Sequence, residues 1–463
     1  MSDLKPLVDA DASHVNRKAF TDQLVFEQEA RSVFARTWQF VAHESEVKAA
    51  GDYVTRKLGI DPVIVVRADS GEINVLHNSC RHRGAQMTGA DKGNAKHFRC
   101  SYHGWTYSNS GALRGVPSMP ELYSDDFKKS ELGLVRAAQV EVFCGLVFAT
   151  WDRAAPPIRE ALGSMAWYLE TVFGKCEMEV VGPPVRTLGH QNWKSGAENW
   201  AGDVYHGGMA HKVVFDKKVV DDSDILMAYL EQLGIHATPD SSQERFASCQ
   251  LTADRGGHAG WVERMGVRLD KLAFLGYEPH VWPEFISRLS AEQAEFASGR
   301  RNMLANIFPN LSFLEAIVTN QGDGLPPIMV LNLRVWVPVS ATETEIVNWV
   351  VVPKAASPEW KRRAQIAFTR TLGPGGMLET DDFQNWTGIA QMNRGIIGQS
   401  IDNDYTGCAD VQPSPEPWWP GNVYPALFTD VMFRALYQEW GRLMEHQTPR
   451  SVASHASPAE VPA

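Results

Sequence analysis

The chain has 463 residues, long enough for two to four domains or for one elaborated domain with an insertion. With 44% hydrophobic and 21% charged residues, its composition is typical of a soluble globular protein. Its formal net charge of −11 argues against nucleic acid or an anionic membrane surface as a partner. The longest apolar run, residues 140–151, falls well short of the roughly 20 residues of a membrane-spanning helix, and the N-terminus resembles no signal peptide, so the sequence predicts a cytoplasmic protein.

The first predicted element is a single amphipathic helix over residues 21–43. In this segment, TDQLVFEQEARSVFARTWQFVAH, the apolar residues recur at helical spacing. We therefore expect residues 1–39 to form a helical N-terminal segment ahead of the first domain.

A strand-like pattern follows over residues 40–155. Short β-branched runs, such as those in DYVTRKLG and GEINVLHNSC, are broken by Gly and Asp. This is the pattern of antiparallel strands joined by tight turns. The sequence therefore predicts an all-β domain over residues 40–155.

Helical and strand-like stretches alternate over residues 156–445. SAEQAEFASGRRNMLAN and SPEWKRRAQIAFTRTL have helical patterns, whereas PPIMVLNLRVWVPVS and TEIVNWVVVP have strand patterns. This mixture predicts an α+β domain around a central antiparallel sheet. Residues 446–463 are small, polar and proline-bearing, which predicts a disordered tail.

Two cysteine–histidine pairs stand in the all-β segment. Seventeen residues separate Cys80-x-His82 from Cys100-x-x-His103, and each pair lies between strand-like runs. A structural zinc site usually shows a Cys pair and a separate His pair. A Rieske [2Fe–2S] cluster needs two thiolates on one iron and two imidazoles on the other. The matched loops favour the Rieske cluster, and structural zinc is the alternative.

A second group of polar residues lies in AENWAGDVYHGGMAH, and its candidate ligands are Glu198, Asn199, Asp203, His206 and His211. Asp203 and His206 are three apart and would share one face of a helix. His206 and His211 are five apart, but Gly207 and Gly208 let the helix end or bulge so that both imidazoles converge. Two histidines and a carboxylate with open positions are what a non-haem Fe(II) oxygen-activating site requires. The alternative is a helix end with two unrelated histidines.

The two motifs in this order resemble those of the catalytic α subunits of Rieske non-haem iron aromatic-ring-hydroxylating dioxygenases, of the naphthalene and biphenyl dioxygenase kind. The resemblance runs from about Thr21 to about Trp440 and is most specific in GDYVTRKLG, NAKHFRCSYHGWTY, AWYLE and NWKSGAENWAGDVYH. It implies an all-β Rieske domain inserted before an α+β catalytic domain of the helix-grip (START-like) type. It also implies that the N-terminal segment packs on the catalytic domain, and that the chain binds a Rieske [2Fe–2S] cluster and mononuclear Fe(II).

The resemblance assigns roles to further residues. In GPGGMLETDDFQNW it makes the second of the two adjacent acids, Asp382, the third iron ligand. The first acid, Asp381, is the alternative, because the two positions differ by one residue. It makes Asp203 a bridge between cluster and iron, and Asn199 a polar residue near the iron. The substrate pocket is expected to draw on Asn199, Trp200, Gly207, Met209, Ala210, Leu304, Asn306, Leu372 and Leu378. Since none of these is Lys or Arg, a neutral aromatic ring is expected rather than an aromatic acid.

The implied reaction is cis-dihydroxylation of an aromatic ring with O2 and electrons relayed from NAD(P)H by a ferredoxin, a reductase or both. The implied assembly is an α3 trimer, or an α3β3 hexamer with a small β subunit. Two alternatives stay open. One is a Rieske monooxygenase or demethylase. The other is a pure electron carrier or zinc-stapled binding module, which would leave His206, His211 and Asp382 unexplained.

Overall fold

The structure, a computed structural model, describes residues 7–220, 222–320, 324–408, 410–415 and 419–445. The predicted tail, residues 446–463, lies outside the described residues. These residues fold into two compact units: Ala30–Ile158 form the smaller one, and the residues up to Glu29 and from Arg159 onward form the larger one. Within the described ranges, no helix combines the length and the apolar character that crossing a membrane would require.

The N-terminal part of the larger unit contains strand β1 (His14–Asn16) and helix α1 (Gln23–Glu29). The prediction of one helix over residues 21–43 is wrong in its second half. A π-helical turn, Ala30–Phe34, follows α1, and Gln39–His43 form strand β2. All residues of β2 are buried and pair with a later strand, so sheet packing overrides the helical periodicity.

Glu29, the last residue of α1, is a fully buried carboxylate. It accepts hydrogen bonds from the Nζ of Lys194, the Nε1 of Trp193 (3.1 Å) and the Nε1 of Trp440 (2.8 Å). A buried charge is stable only when paired and hydrogen-bonded. This network therefore attaches the N-terminal segment to the interior of the larger unit.

The smaller unit consists mainly of short antiparallel strands, as the sequence predicts. After β2 it contains β3 (Asp52–Leu58), β4 (Asp61–Arg67), β5 (Ile73–His77), β6 (Lys92–Asn94), β7 (His97–Arg99), β8 (Thr106–Ser108), β9 (Leu113–Gly115), the short helix α2 (Met119–Leu122), β10 (Gln139–Phe143) and β11 (Leu146–Thr150). The strand orders of its three sheets are β10-β11-β2, β5-β4-β3-β6 and β7-β8-β9. One of its apolar cores includes Cys80, Cys100, Trp105 and Tyr107, so the cysteine loops are part of the interior.

The helices and strands that follow are α3 (Ile158–Leu162), α4 (Met165–Phe173), β12 (Met178–Val180), β13 (Val185–Gly189), α5 (Trp193–Asn199), α6 (Lys212–Asp216), α7 (Ser223–Gln232), β14 (Ala237–Pro239), α8 (Ser241–Arg245), β15 (Ser248–Thr252), β16 (Ala259–Arg264), β17 (Val267–Leu269), α9 (Trp282–Arg288), α10 (Ala291–Ala297), β18 (Arg300–Ile307), β19 (Leu311–Val318), β20 (Ile328–Ser340), β21 (Glu343–Pro353), α11 (Pro358–Thr371), α12 (Glu379–Asn393), β22 (Asp402–Asp404), β23 (Asn422–Tyr424) and α13 (Val431–Glu445).

The larger unit is built on a nine-stranded antiparallel sheet. Its order is β12-β21-β20-β19-β18-β16-β15-β23, and β13 also pairs with β21. Helices α5 and α11 contact β20, and α13 contacts β15 and β16. Strand β20 is buried along nearly its whole length because elements cover it on both faces. The predicted α+β class with a central antiparallel sheet is confirmed.

One predicted helix of this unit is only half helical. The segment SAEQAEFASGRRNMLAN forms α10 up to Ala297 and then turns at Gly299, whose φ is +68°. Such a left-handed residue ends a helix. From Arg300 the chain becomes strand β18, which pairs with β16 and β19. The helix predicted in SPEWKRRAQIAFTRTL and the two strands β20 and β21 are confirmed.

Candidate metal centres

The two cysteine–histidine loops share one backbone construction. In each, a glycine amide donates to the carbonyl of the cysteine four residues earlier: Gly84 to Cys80 at 2.9 Å, and Gly104 to Cys100 at 3.0 Å. Both glycines have left-handed φ angles, 74° and 73°, where a side chain would be strained. The matched motifs of the sequence are thus matched turns in the structure.

The side chains of these loops offer two thiols and two imidazoles. Both thiols are buried, and neither is in a disulfide. The rings of His82 and His103 are 4.6 Å apart, and His82 stacks on Trp105. The His82 Nδ1 is buried without a hydrogen-bond partner among the described residues. Desolvation, together with the nearby His103 and Arg83, lowers the pKa of His82, which keeps the imidazole neutral as a metal ligand must be.

The donor set of these loops differs from that of a usual structural zinc site. Such a site shows a Cys pair and a separate His pair, whereas each loop here supplies one cysteine and one histidine. Two thiolates and two imidazoles are the ligand set of a Rieske [2Fe–2S] cluster, with the thiolates on one iron and the imidazoles on the other.

The second site begins where α5 ends, at Asn199. The chain then runs irregularly to a 3₁₀ turn, His206–Gly208, and α6 starts at Lys212. The expectation that Asp203 and His206 share one helical face is wrong, because α5 has already ended. The helix does not end or bulge at the two glycines, which instead lie in the 3₁₀ turn, but His206 and His211 converge across that turn as predicted.

Three donor atoms meet in this site. The Nε2 atoms of His206 and His211 are 3.1 Å apart, and each lies 3.4 Å from Oδ1 of Asp382. Donors bound at right angles and about 2.1 Å from one metal lie about 3 Å apart. The three atoms therefore fit one face of an octahedral site whose other positions stay open.

Each histidine also has a carboxylate near its other ring nitrogen. Oδ2 of Asp203 is 3.3 Å from Nδ1 of His206, and Oδ2 of Asp381 is 3.5 Å from Nδ1 of His211. A carboxylate in this place fixes the tautomer and turns Nε2 toward the metal. Burial alone would lower the pKa of His206, but Asp203 and Asp382 outweigh it and raise that pKa. The paired acids thus have different positions: Asp382 faces both Nε2 atoms, and Asp381 lies behind His211.

The residues predicted to line the pocket differ in their surroundings. The Asn199 side-chain nitrogen lies 3.3 Å from Nε2 of His206, beside the three donors. Asn306 is fully buried and accepts a hydrogen bond from Ser312 (2.9 Å), so its side-chain oxygen is engaged within the sheet. The Met209 side chain is 83% exposed. Of the others, the buried ones are Trp200, Gly207 and Leu372, and the partly buried ones are Ala210, Leu304 and Leu378.

Two residues that the sequence analysis did not single out contact these sites. The hydroxyl of Tyr107 lies 3.3 Å from Sγ of Cys80, and Arg334 binds Glu379, three residues before Asp382. A sequence signal existed for Arg334, since it is the one charged residue in the strand IMVLNLRVWVPVS.

Comparison with known proteins agrees with both sites. Residues 37–132 match the Rieske [2Fe-2S] domain, and residues 179–403 match the ring hydroxylating alpha subunit (catalytic domain). The chain is 33% identical to the N,N-dimethyl phenylurea N-demethylase subunit alpha of Sphingobium sp. (strain YBL2), over 92% of this chain and 90% of that protein. It is 35% identical to the large oxygenase component of the naphthalene 1,2-dioxygenase system of Pseudomonas putida, over 90% and 89%. The crystal structure of naphthalene 1,2-dioxygenase from Rhodococcus sp. bound to indole matches with a TM-score of 0.82 at 30% identity, over 94% of this chain and 95% of that one.

The fold and the two sites are those of a Rieske non-haem iron oxygenase. The chain belongs to the ring-hydroxylating dioxygenase family, as a large catalytic subunit. The predicted cofactors, a Rieske [2Fe–2S] cluster and a mononuclear non-haem iron, are confirmed with it. The chain is therefore the terminal oxygenase of a multicomponent system that receives its electrons from other proteins. A protein that only carries electrons, or a binding module stabilised by zinc, would not contain the catalytic domain that residues 179–403 match.

Proposed function

We propose that this chain cis-dihydroxylates a neutral aromatic ring, with one iron held by His206, His211 and Asp382. The observation that carries the proposal is the group of three donor atoms, 3.1–3.4 Å apart. Such a group leaves metal positions for dioxygen beside an organic substrate. When bound, the cluster supplies electrons one at a time and the iron activates dioxygen. We assign the cluster to Cys80, His82, Cys100 and His103.

The chain's own residues hold and orient these groups. Carboxylate oxygens of Asp203 and Asp381 lie 3.3 Å and 3.5 Å from the Nδ1 atoms of His206 and His211, the side from which a carboxylate orients a metal-binding imidazole. Asn199 supplies a side-chain amide beside the donors. We assign residues 40–155 to the cluster domain and 156–445 to the catalytic domain. Of the N-terminal segment predicted to pack on the catalytic domain, the residues up to Glu29 belong to the larger unit, whereas residues 30–39 belong to the smaller one.

The preference for a neutral ring rests on the charges near the donors. No residue of the predicted pocket is Lys or Arg, so a substrate carboxylate would lack an ion-pairing partner. Arg334 contacts the carbonyl of Leu372, but Glu379 already balances its charge. One relative acts in a naphthalene 1,2-dioxygenase system, and naphthalene is a neutral hydrocarbon.

N-demethylation is the second candidate, because one relative of nearly full coverage is an N-demethylase subunit. The deciding experiment uses the purified oxygenase, matched electron-transfer proteins and ¹⁸O₂. Naphthalene should give a cis-dihydrodiol with two labelled oxygen atoms. Formaldehyde released from an N,N-dimethylated aryl urea, with no diol from any aromatic ring tested, would contradict the proposal.

The proposal includes electron donors and an assembly. We assign the electrons to NAD(P)H through a ferredoxin, a reductase or both, and a cytoplasmic location follows from that supply. We propose an α3 trimer, or an α3β3 hexamer with a small β subunit. In this assembly, we propose that Asp203 of one α subunit accepts a hydrogen bond from His103 of the neighbouring α subunit. A head-to-tail ring of three repeats one interface and closes on itself.

A further inference from the structure

Arg334 is a fully buried cation in the middle of β20. Its Nε donates to Oδ1 of Asn348 at 2.7 Å. Its Nη2 donates to Oε2 of Glu379 at 2.7 Å and to the carbonyl oxygen of Leu372 at 3.2 Å. A planar guanidinium holds several partners in fixed directions at once. Arg334 thus links β20 and β21 to the end of α11 and the start of α12.

The same guanidinium packs on two aromatic rings. Its Cζ is 4.2 Å from the ring centre of Trp200 and 5.0 Å from that of Trp336. Cations are attracted to the faces of aromatic rings, most strongly where water is absent. Trp200 directly follows Asn199, whose amide nitrogen lies 3.3 Å from the His206 Nε2. Arg334 therefore contacts the segment that leads to the histidines as well as the helix that carries Asp382.

The start of α12 has no side-chain cap, although the amide and the hydroxyl of Thr380 both donate to the carbonyl oxygen of Gly376 at 3.2 Å. Leu378 occupies the N-cap position and makes no side-chain cap bond. Helix starts are usually held by a polar cap residue, which satisfies one of the free backbone amides. Glu379 and Asp382 are three residues apart in the first turn and are both buried, so they share one face of α12. The ion pair of Glu379 with Arg334 thus holds the face that presents Asp382.

We propose that Arg334 is a positioning residue for the mononuclear iron: by holding Glu379 and the Leu372 carbonyl, it sets the position of Asp382 relative to the two histidines. This inference rests on the proposed ligands His206, His211 and Asp382. The competing explanation is that Arg334 and Glu379 form an ordinary core ion pair, which stabilises the fold without regard to the metal.

The test measures the affinity for Fe(II) in the full-length protein with its cluster, by competition with a ferrous chelator. Arg334→Lys keeps the charge but cannot reproduce the directed bonds. We expect its dissociation constant for Fe(II) to rise by about ten- to a hundredfold, as for other residues that orient metal ligands. The visible spectrum of the cluster should stay unchanged and report that the chain is folded.

Arg300→Lys is the matched control. Arg300 is also buried in this sheet and pairs with Glu315, which Lys175 binds as well. Its side chain also contacts Met303 and Phe296, and none of these residues is in the iron site. This variant should be less stable than the parent protein but bind Fe(II) with the parental affinity. An equal rise in the Fe(II) dissociation constant in both variants would favour the ordinary ion pair and overturn the proposal.

A double variant, Arg334→Met with Glu379→Leu, tests the proposal without leaving a buried charge unpaired. Replacing both partners of a buried pair by apolar residues often restores stability. We expect recovered thermal stability with weak iron binding, and parental iron affinity in this variant would overturn the proposal. Asp382→Ala tests the ligand assignment separately from the role of Arg334. Normal iron binding in this variant would refute the assignment of Asp382 as a ligand.

Discussion

Tyr107→Phe should make the cluster harder to reduce. The Tyr107 side chain is fully buried, and its hydroxyl oxygen accepts a hydrogen bond from the Arg81 amide at 3.1 Å. The hydroxyl proton is then left for Sγ of Cys80, 3.3 Å away, because a buried hydroxyl needs an acceptor. Burial and this contact raise the pKa of Tyr107, so the hydroxyl stays protonated.

The size of the effect follows from the charge on the sulfur. A hydrogen bond to a charged group contributes about 1.5–3 kcal/mol. Only part of the added negative charge falls on the Cys80 sulfur, so we take the gain of this one bond on reduction as about 1 kcal/mol. A tenfold change in a one-electron equilibrium, about 1.4 kcal/mol, corresponds to about 59 mV. Loss of the hydroxyl should therefore lower the midpoint potential by about 40 mV.

Spectroelectrochemical titration of the purified protein measures this shift. Tyr53→Phe is the matched control, because Tyr53 belongs to the same apolar core. Its hydroxyl lies 3.4 Å from Oγ1 of Thr88 and makes no hydrogen bond to a cysteine of the described residues. Its midpoint potential should equal that of the parent protein. An unchanged potential in Tyr107→Phe, or an equal drop in Tyr53→Phe, would refute the reasoning.

Four further predictions concern the larger unit. Asp203→Ala should keep its cluster and, with Fe(II) supplied in excess, its iron, yet lose nearly all turnover. Stopped-flow should show a reduced cluster that fails to reoxidise with substrate and O2, and near-normal turnover would contradict the bridging role of Asp203. Asp382→Ala should lose iron and product formation, whereas Asp381→Ala should weaken iron binding by about ten- to a hundredfold. Metal analysis that finds iron in Asp382→Ala but none in Asp381→Ala would make Asp381 the ligand. Leu378→Phe should shift preference toward smaller rings, since a misfit methylene changes binding by about 1–3 kcal/mol; an unchanged product profile would remove it from the pocket. Burial raises the pKa of Glu198 to about 7, so this carboxyl holds its proton in the folded state over a pH range where the unfolded chain loses it, and the free energy of unfolding should fall as pH rises from about 4.5 to 7. Denaturation at several pH values should show a smaller fall for Glu198→Gln, and an unaltered slope in that variant would contradict the raised pKa.

Sequence reasoning was most direct where the candidate ligands are close together in the chain. The spacings Cys80-x-His82 and Cys100-x-x-His103 lie within single turns, so their chemistry could be predicted from the residues alone. Asp382 is different. It is distant in sequence from His206, and only the tertiary fold brings their donor atoms within 3.4 Å of each other. Asp382 was preferred to Asp381 because of the family resemblance and not because of the spacing.

Errors in the fold have a physical reason of the same kind. The helical periodicity of residues 21–43 is real, but Gln39–His43 are wholly buried in a sheet, where pairing with β11 decides the conformation. Arg334 likewise could not be assigned from its strand, because its partners Glu379 and Leu372 follow later in the chain.

The buried network of Glu29 decides how this protein can be divided for study. A recombinant fragment that starts at Arg159 would contain Lys194, buried in the interior, without the carboxylate that neutralises it. Removing one partner of a buried ion pair destabilises by about 3–5 kcal/mol, which is a large part of the stability of an ordinary domain. An expression plasmid for the iron-binding half must therefore encode the residues up to Glu29 as well, joined by a linker to Arg159 in place of the excised segment.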